Sequence, residues 1–135
     1  MEVKNMKMVL ATLILAVVTI MAIAENIAVP SVEVMDQPIV NSTVTVAKVV
    51  SDGPGWMVIH ADLEGEPGMV LGFAPVLNRE NKDVLANIDS TNATAALFAM
   101  LHMDAGNMDV YEFLGAELPV NIDGKVLMQF FNVSR

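Results

Sequence analysis

The chain predicts an all-β fold, an antiparallel immunoglobulin-like β-sandwich of about seven strands after an N-terminal hydrophobic signal segment. Three observations carry this expectation. Short runs of β-branched and apolar residues recur, with turn chemistry between them at fairly regular intervals. No stretch beyond residue 24 has the 3.6-residue periodicity of an amphipathic helix. A lone tryptophan, Trp56, sits on the third run and a long sixth run follows it, which matches an immunoglobulin-like strand order.

Each run has its own justification. Residues 32–35 form a first short strand, ended by Asp36-Gln37-Pro38. Residues 43–49 alternate polar and apolar, the pattern of a strand with one wet face. Gly53-Pro54-Gly55 turns the chain into residues 56–62, and Glu64-Gly65-Glu66-Pro67-Gly68 turns it again into residues 69–73. Residues 82–88 form a fifth strand. Residues 95–103 are almost continuously apolar; propensity alone would admit a helix over 95–101, but the bounded length among so many strands predicts a buried strand. Residues 111–113 and 118–120 are short extended pieces, and Asp123-Gly124 is a tight hairpin signal leading into residues 126–133.

The first two dozen residues read as a targeting segment. Lys4 and Lys7 make a positive start, residues 9–23 carry no charge, and Ala22-Ile23-Ala24 supplies a small-x-small cleavage pattern. The uncharged stretch falls short of the roughly 20 residues of a comfortable membrane span. Residues 1–24 are therefore expected to be a signal peptide and residues 25–135 a single β-sandwich domain; left uncleaved, the same segment would be an anchor and the sole membrane contact. Either way the domain is secreted or displayed at the extracytoplasmic face of the cell membrane.

Composition narrows function further. The net charge of −9 becomes one unit more negative once Lys4, Lys7 and Glu2 are removed, and no run of Lys or Arg exists, which excludes nucleic-acid partners. The absence of cysteine excludes thiol catalysis, iron–sulfur clusters, thiolate zinc sites and the usual blue-copper ligand set. No Gly-x-Ser-x-Gly elbow, His-Glu-x-x-His helix or glycine-rich phosphate loop occurs, so no enzyme activity is expected. Asn41, Asn92 and Asn132 open three Asn-x-Ser/Thr sequons, candidate N-glycosylation sites on an exported protein.

The only two histidines share a local setting, Trp56-Met57-Val58-Ile59-His60-Ala61-Asp62 and Phe98-Ala99-Met100-Leu101-His102-Met103-Asp104. On a strand, residues two apart project from one face, so each His-x-Asp can orient a ligand, a metal or a turn. A joint site of His60, Asp62, His102 and Asp104 would suit copper or zinc, with Met100, Met103 or Met108 as a soft ligand. Strand direction opposes it: on antiparallel neighbours the two motifs lie at opposite poles, up to about 20 Å apart. The leading expectation is that each motif fastens a strand end to the following turn. Trp56 and Phe98 are expected to anchor the core. The carboxylates Asp62, Glu64, Glu66, Glu80 and Asp83 could chelate calcium but read as a solvated surface.

The region also resembles a family of exported archaeal and bacterial surface domains, the domain of unknown function numbered 7282. The resemblance rests on Asp36-Gln37, Trp56 through His60-Ala61-Asp62, Gly72-Phe73-Ala74-Pro75, Leu101-His102-Met103-Asp104-Ala105-Gly106, Tyr111-Glu112-Phe113 with Gly115, Pro119-Val120 and Phe131-Asn132-Val133, over residues 30–134. It implies a secreted or surface-displayed β-sandwich without an assigned enzyme activity. Some relatives have a calcium-loop-like stretch after the second His-x-Asp. Here that stretch, Asp104-Ala105-Gly106-Asn107-Met108-Asp109-Val110, lacks alternating oxygen ligands, so calcium ranks below copper or zinc. The functional expectation is a non-catalytic module with no cofactor, acting on a protein or another cell-surface component, with copper or zinc binding as the alternative. Intact-mass spectrometry of the exported protein should find an N-terminus at Glu25; one at Met1 would refute the cleaved leader.

Overall fold

Alternation decides the first long strand. In β3 (Thr43–Ser51), following the short β1 (Ser31–Glu33) and β2 (Gln37–Pro38), Val44 and Val46 point inward while Thr43 and Thr45 do not. The computed structural model describes residues 28–104 and 117–135. The inward set then changes phase to Val49 and Ser51, which face Asn81 and Arg79, after the register passes over Ala47 and Asp83, whose φ is 50°. The chain continues through β4 (Gly55–Leu63), β5 (Glu66–Val76), β6 (Arg79–Asn87) and β7 (Ala96–Asp104). After the second described stretch begins come β8 (Glu117–Pro119), β9 (Asn121–Ile122), β10 (Lys125–Val126) and β11 (Met128–Ser134).

These strands make two principal sheets. One is three-stranded in the order β1-β3-β6; the other runs β2-β11-β7-β4-β5, with β8 also paired to β7. The chain crosses between sheets from β3 to β4, from β5 to β6 and from β6 to β7, which gives the immunoglobulin-like order expected. Neighbours are antiparallel except β2, which lies parallel to β11. Seventeen buried side chains of the described residues form one core, with Val44, Val46, Val49, Met57, Ile59, Leu97, Leu101 and Phe131 almost fully enclosed.

Three tight turns use paired left-handed residues: Asn41-Ser42, Glu64-Gly65 and Asp123-Gly124, with φ values between 51° and 86°. This conformation matches the right-handed twist of the flanking strands. The Asp123-Gly124 hairpin joins β9 to β10, as the sequence indicates, but the strand beyond it is broken. At Leu127 the N–H turns to the Val120 carbonyl (2.8 Å) before β11 resumes beside β7.

Asp36 and Gln37 connect the sheets. The Asp36 carboxylate accepts the Asn132 N–H (2.9 Å) on β11. The Gln37 side-chain amide then imitates a strand: its Nε2 donates to the Thr45 carbonyl and its Oε1 accepts the Thr45 N–H, both at 2.8 Å. Thus a side chain from the larger sheet continues the hydrogen bonding of β3 in the smaller one.

Residues 96–101 are strand rather than helix, and the fifth run begins earlier than expected, at Arg79. The signal segment, the domain boundary after residue 24 and the strand expected at 111–113 lie outside the described residues. Trp56 and Phe98 need correction. Both are buried, but neither belongs to the inter-sheet core, because the inward positions of β4 and β7 are the odd-numbered ones, Met57, Ile59, Ala61, Leu97, Ala99 and Leu101. Period-two geometry sends Trp56 and Phe98 to the opposite face.

Gly55 starts β4 where a side chain cannot fit, since a Cβ there would run into the His102 backbone carbonyl. Gly55→Ala should therefore lower the unfolding free energy by about 1–3 kcal/mol in urea titrations, the usual cost of forcing extra volume into a packed site. Retention of wild-type stability would show that β4 and β7 can part without loss.

Candidate metal centre

The two central strands of the larger sheet are buried on both faces. Their odd positions fill the inter-sheet core; their even positions place Trp56, Val58, His60, Phe98, Met100 and His102 on the outer face, all buried. Antiparallel register sets Trp56 against His102, Val58 against Met100 and His60 against Phe98. The neighbouring strands extend this face with Phe73 opposite Val58, Phe130 opposite Phe98 and Met128 opposite Met100. Edge-to-face contacts tie Trp56 to Phe73 (centroids 5.6 Å apart) and Phe98 to Phe130 (5.2 Å).

The histidines come together on this surface. Four residues of strand separate their register positions, about 13 Å of backbone at 3.3 Å per residue. The imidazoles nevertheless lie with ring centroids 6.2 Å apart and planes 24° from parallel. The expectation of motifs at opposite poles is correct for strand direction and wrong for the rings. Both side chains project from one face, and they lean along it toward each other.

His60 is aimed by an irregularity in β4. The pairing with β5 shifts register on both sides of it, so that His60 faces Val70 while Asp62 faces Pro67. Such a bulge re-aims a side chain. His60 Nδ1 donates to the Gly68 carbonyl at 2.9 Å, which puts a ring proton on Nδ1 and, in the neutral ring, makes Nε2 the acceptor. Nε2 is buried and has no hydrogen-bond partner. On His102, Nε2 lies 3.2 Å from the Met100 sulfur, and Nδ1 is buried without a partner. The two residues are only 6% and 4% exposed, so these nitrogens are withheld from solvent as well.

The aspartates do other work. Asp62 Oδ1 accepts the Gly65 N–H (2.8 Å) in the β4–β5 turn, and the Asp62 N–H is held by Thr94 Oγ1 (2.9 Å). Around this first motif the expected fastening of strand to turn is present, with the imidazole donating to a carbonyl. Asp104 ends β7, where its N–H donates to the Pro54 carbonyl. Among the described residues no three of His, Asp and Glu gather as a metal-ligand group, so the four-residue set reduces to the two imidazoles. That also leaves Glu64, Glu66, Glu80 and Asp83 as surface carboxylates; Glu80 meets Lys82 at 3.5 Å on an exposed strand. Residues 105–110 of the calcium-loop-like stretch lie outside the described residues. Asn41, Asn92 and Asn132 are all exposed, Asn92 donating to Asp89 and Asn132 to Asp36.

Gly68 is the site residue that sequence reasoning missed. It carries no functional side chain, and only the bulged register brings its carbonyl to His60.

A family model described as "Domain of unknown function (DUF7282)" matches residues 30–134, most of the chain. The chain belongs to this family. No curated protein and no solved structure matches it significantly. In this DUF7282 domain, then, the two His-x-Asp segments, Asp36-Gln37 and Gly72 all fall inside the matched region.

Burial, and after it the charge of neighbouring His60, lowers the His102 pKa from 6.5 to about 4. Between those values the unfolded chain takes up a proton that the folded DUF7282 domain refuses. Stability is therefore full above pH 6.5 and falls as the pH drops toward 4, by at most about 1.4 kcal/mol per pH unit from this group. Urea midpoints measured from pH 7 to 4 should show this slope, and His102→Leu should flatten it. An unchanged slope in His102→Leu would mean that other groups cause it.

Proposed function

We propose that this chain is a non-catalytic, extracytoplasmic β-sandwich module that holds a late transition-metal ion on the outer face of its larger sheet through His60 and His102. One observation carries the reading: two buried imidazoles 6.2 Å apart, in which His60 Nε2 has no hydrogen-bond partner and His102 Nε2 faces the Met100 thioether. Buried polar atoms are nearly always satisfied, and an unpartnered one calls for an explanation such as an ion. A ligated imidazole puts its metal about 3.2 Å from the ring centroid, so two rings on one ion are at most about 6.4 Å apart. The Gly68 carbonyl supplies the outer partner that orients a metal-binding histidine and fixes its tautomer. Export rests on the N-terminal segment, with Lys4 and Lys7 ahead of an uncharged run and Ala22-Ile23-Ala24 after it.

A second reading is supported by the rim of the same face. Phe73, Phe130 and Met128 are 44%, 48% and 38% exposed beside the buried rows, an apolar border suited to a protein or other cell-surface partner. In that reading the imidazole pair serves the fold.

Trp56 is the only tryptophan and lies opposite His102, so its fluorescence reports the site directly. Titration of the purified protein with Cu⁺ under anaerobic reducing conditions, and separately with Cu²⁺ and Zn²⁺, followed by calorimetry and Trp56 emission, should give one ion per chain with micromolar or tighter affinity for at least one of them. A His60→Phe/His102→Phe variant should lose at least tenfold. Millimolar or absent binding of all three ions in the folded wild type refutes the metal role.

A further inference from the structure

Resting on that metal-binding reading, we infer that the ion is copper(I), held by His60 Nε2, His102 Nε2 and the thioether sulfur of Met100. The argument begins with ligand number. Structural zinc takes four ligands, and cupric copper prefers tetragonal nitrogen and oxygen sets. The described residues offer neither: no carboxylate and no third imidazole joins the pair, and the chain has no cysteine. Two neutral nitrogens and one thioether are a sufficient set for a monovalent, soft ion, which is stable with two or three ligands.

The third ligand is already in place. Met100 Sδ lies 3.2 Å from His102 Nε2, and Met100 is 7% exposed. A sulfur and a nitrogen on one copper ion, with bonds of about 2.3 and 2.0 Å, stand roughly 3.5 Å apart or slightly more. The observed separation needs only a small spreading of a flexible methionine to reach that edge. Apolar surroundings favour the same ion. Trp56, Val58 and Phe98 share the face, so a site of neutral ligands there carries one positive charge with Cu⁺ and two with Zn²⁺. Burying the smaller charge costs less.

Access is also soft. Met128 pairs across the strands with Met100 on the same face, and it is partly exposed. Directly opposed side chains are about 5 Å apart at Cβ. Met128 can therefore receive Cu⁺ at the surface and pass it to Met100 without a change of ligand type.

The test uses full-length protein under anaerobic conditions with ascorbate, supplying Cu⁺ against bicinchoninate and, separately, Zn²⁺ against a chromophoric chelator. One Cu⁺ per chain should be retained, more tightly than Zn²⁺. Met100→Leu, nearly isosteric, should weaken Cu⁺ at least tenfold and leave Zn²⁺ within about twofold, whereas His60→Phe/His102→Phe should abolish both. X-ray absorption of the wild-type Cu⁺ form should show two nitrogen scatterers and one sulfur, a result independent of how well any variant folds. Zn²⁺ bound as tightly as Cu⁺, or a copper shell without sulfur, overturns the copper(I) assignment and keeps the histidine site. Absence of both ions from the folded protein overturns the underlying reading instead.

Discussion

The register between β4 and β7 is the constraint from which the rest of the molecule follows. Trp56 faces His102 and His60 faces Phe98, and both strands are buried on both faces. With a side-chain period of two, this pairing sends Met57, Ile59, Ala61, Leu97, Ala99 and Leu101 between the sheets. It sends the histidines and their aromatic neighbours to the outside of the larger sheet. A slip of one residue would turn an imidazole into the apolar inter-sheet core, where burying a polar ring costs free energy. Register is thus specified twice, by the core on one face and by the imidazole row on the other.

That arrangement explains why small features surround the site. The bulge at His60 departs from regular pairing with β5, and the departure brings the Gly68 carbonyl to Nδ1. Gly55 lets β4 begin hard against the His102 backbone. Asp62, two residues beyond His60, closes the turn that carries Gly68 into place. The fastening role and the proposed ligand role are therefore compatible: the contacts that secure the strand end also orient the ring. The second motif differs, because His102 turns to the Met100 sulfur instead of a backbone carbonyl. Sequence likeness between the two motifs hides a chemical asymmetry.

The other shared segments have mechanical explanations. Asp36 and Gln37 latch β11 to the chain end of β2 and splice the larger sheet onto β3 through one side-chain amide. Gly72 passes so close to the Asn87 carbonyl that a methyl group would collide with it, which brings β5 against the end of β6 in the other sheet. Both devices join sheets that share no backbone ladder. They account for two stretches of the family resemblance without any ligand.

Much of the architecture was legible in the amino-acid order. Turn residues such as Asp123-Gly124, the alternation of Thr43-Val44-Thr45-Val46 and the continuous apolar run before His102 each state a local rule that the fold obeys. Local rules cannot say which face of a doubly buried strand meets the core, so Trp56 and Phe98 were expected there and lie opposite. Nor can they measure separation between side chains: strand direction correctly places the two motifs at opposite ends, yet the rings reach each other across four residues. The sequence by itself determined an all-β, acidic, cysteine-free domain with two similar His-x-Asp segments. Only the tertiary structure decided that His60, His102 and Met100 converge while Asp62 and Asp104 do not, because convergence depends on pairing register and a bulge, which are properties of two strands together.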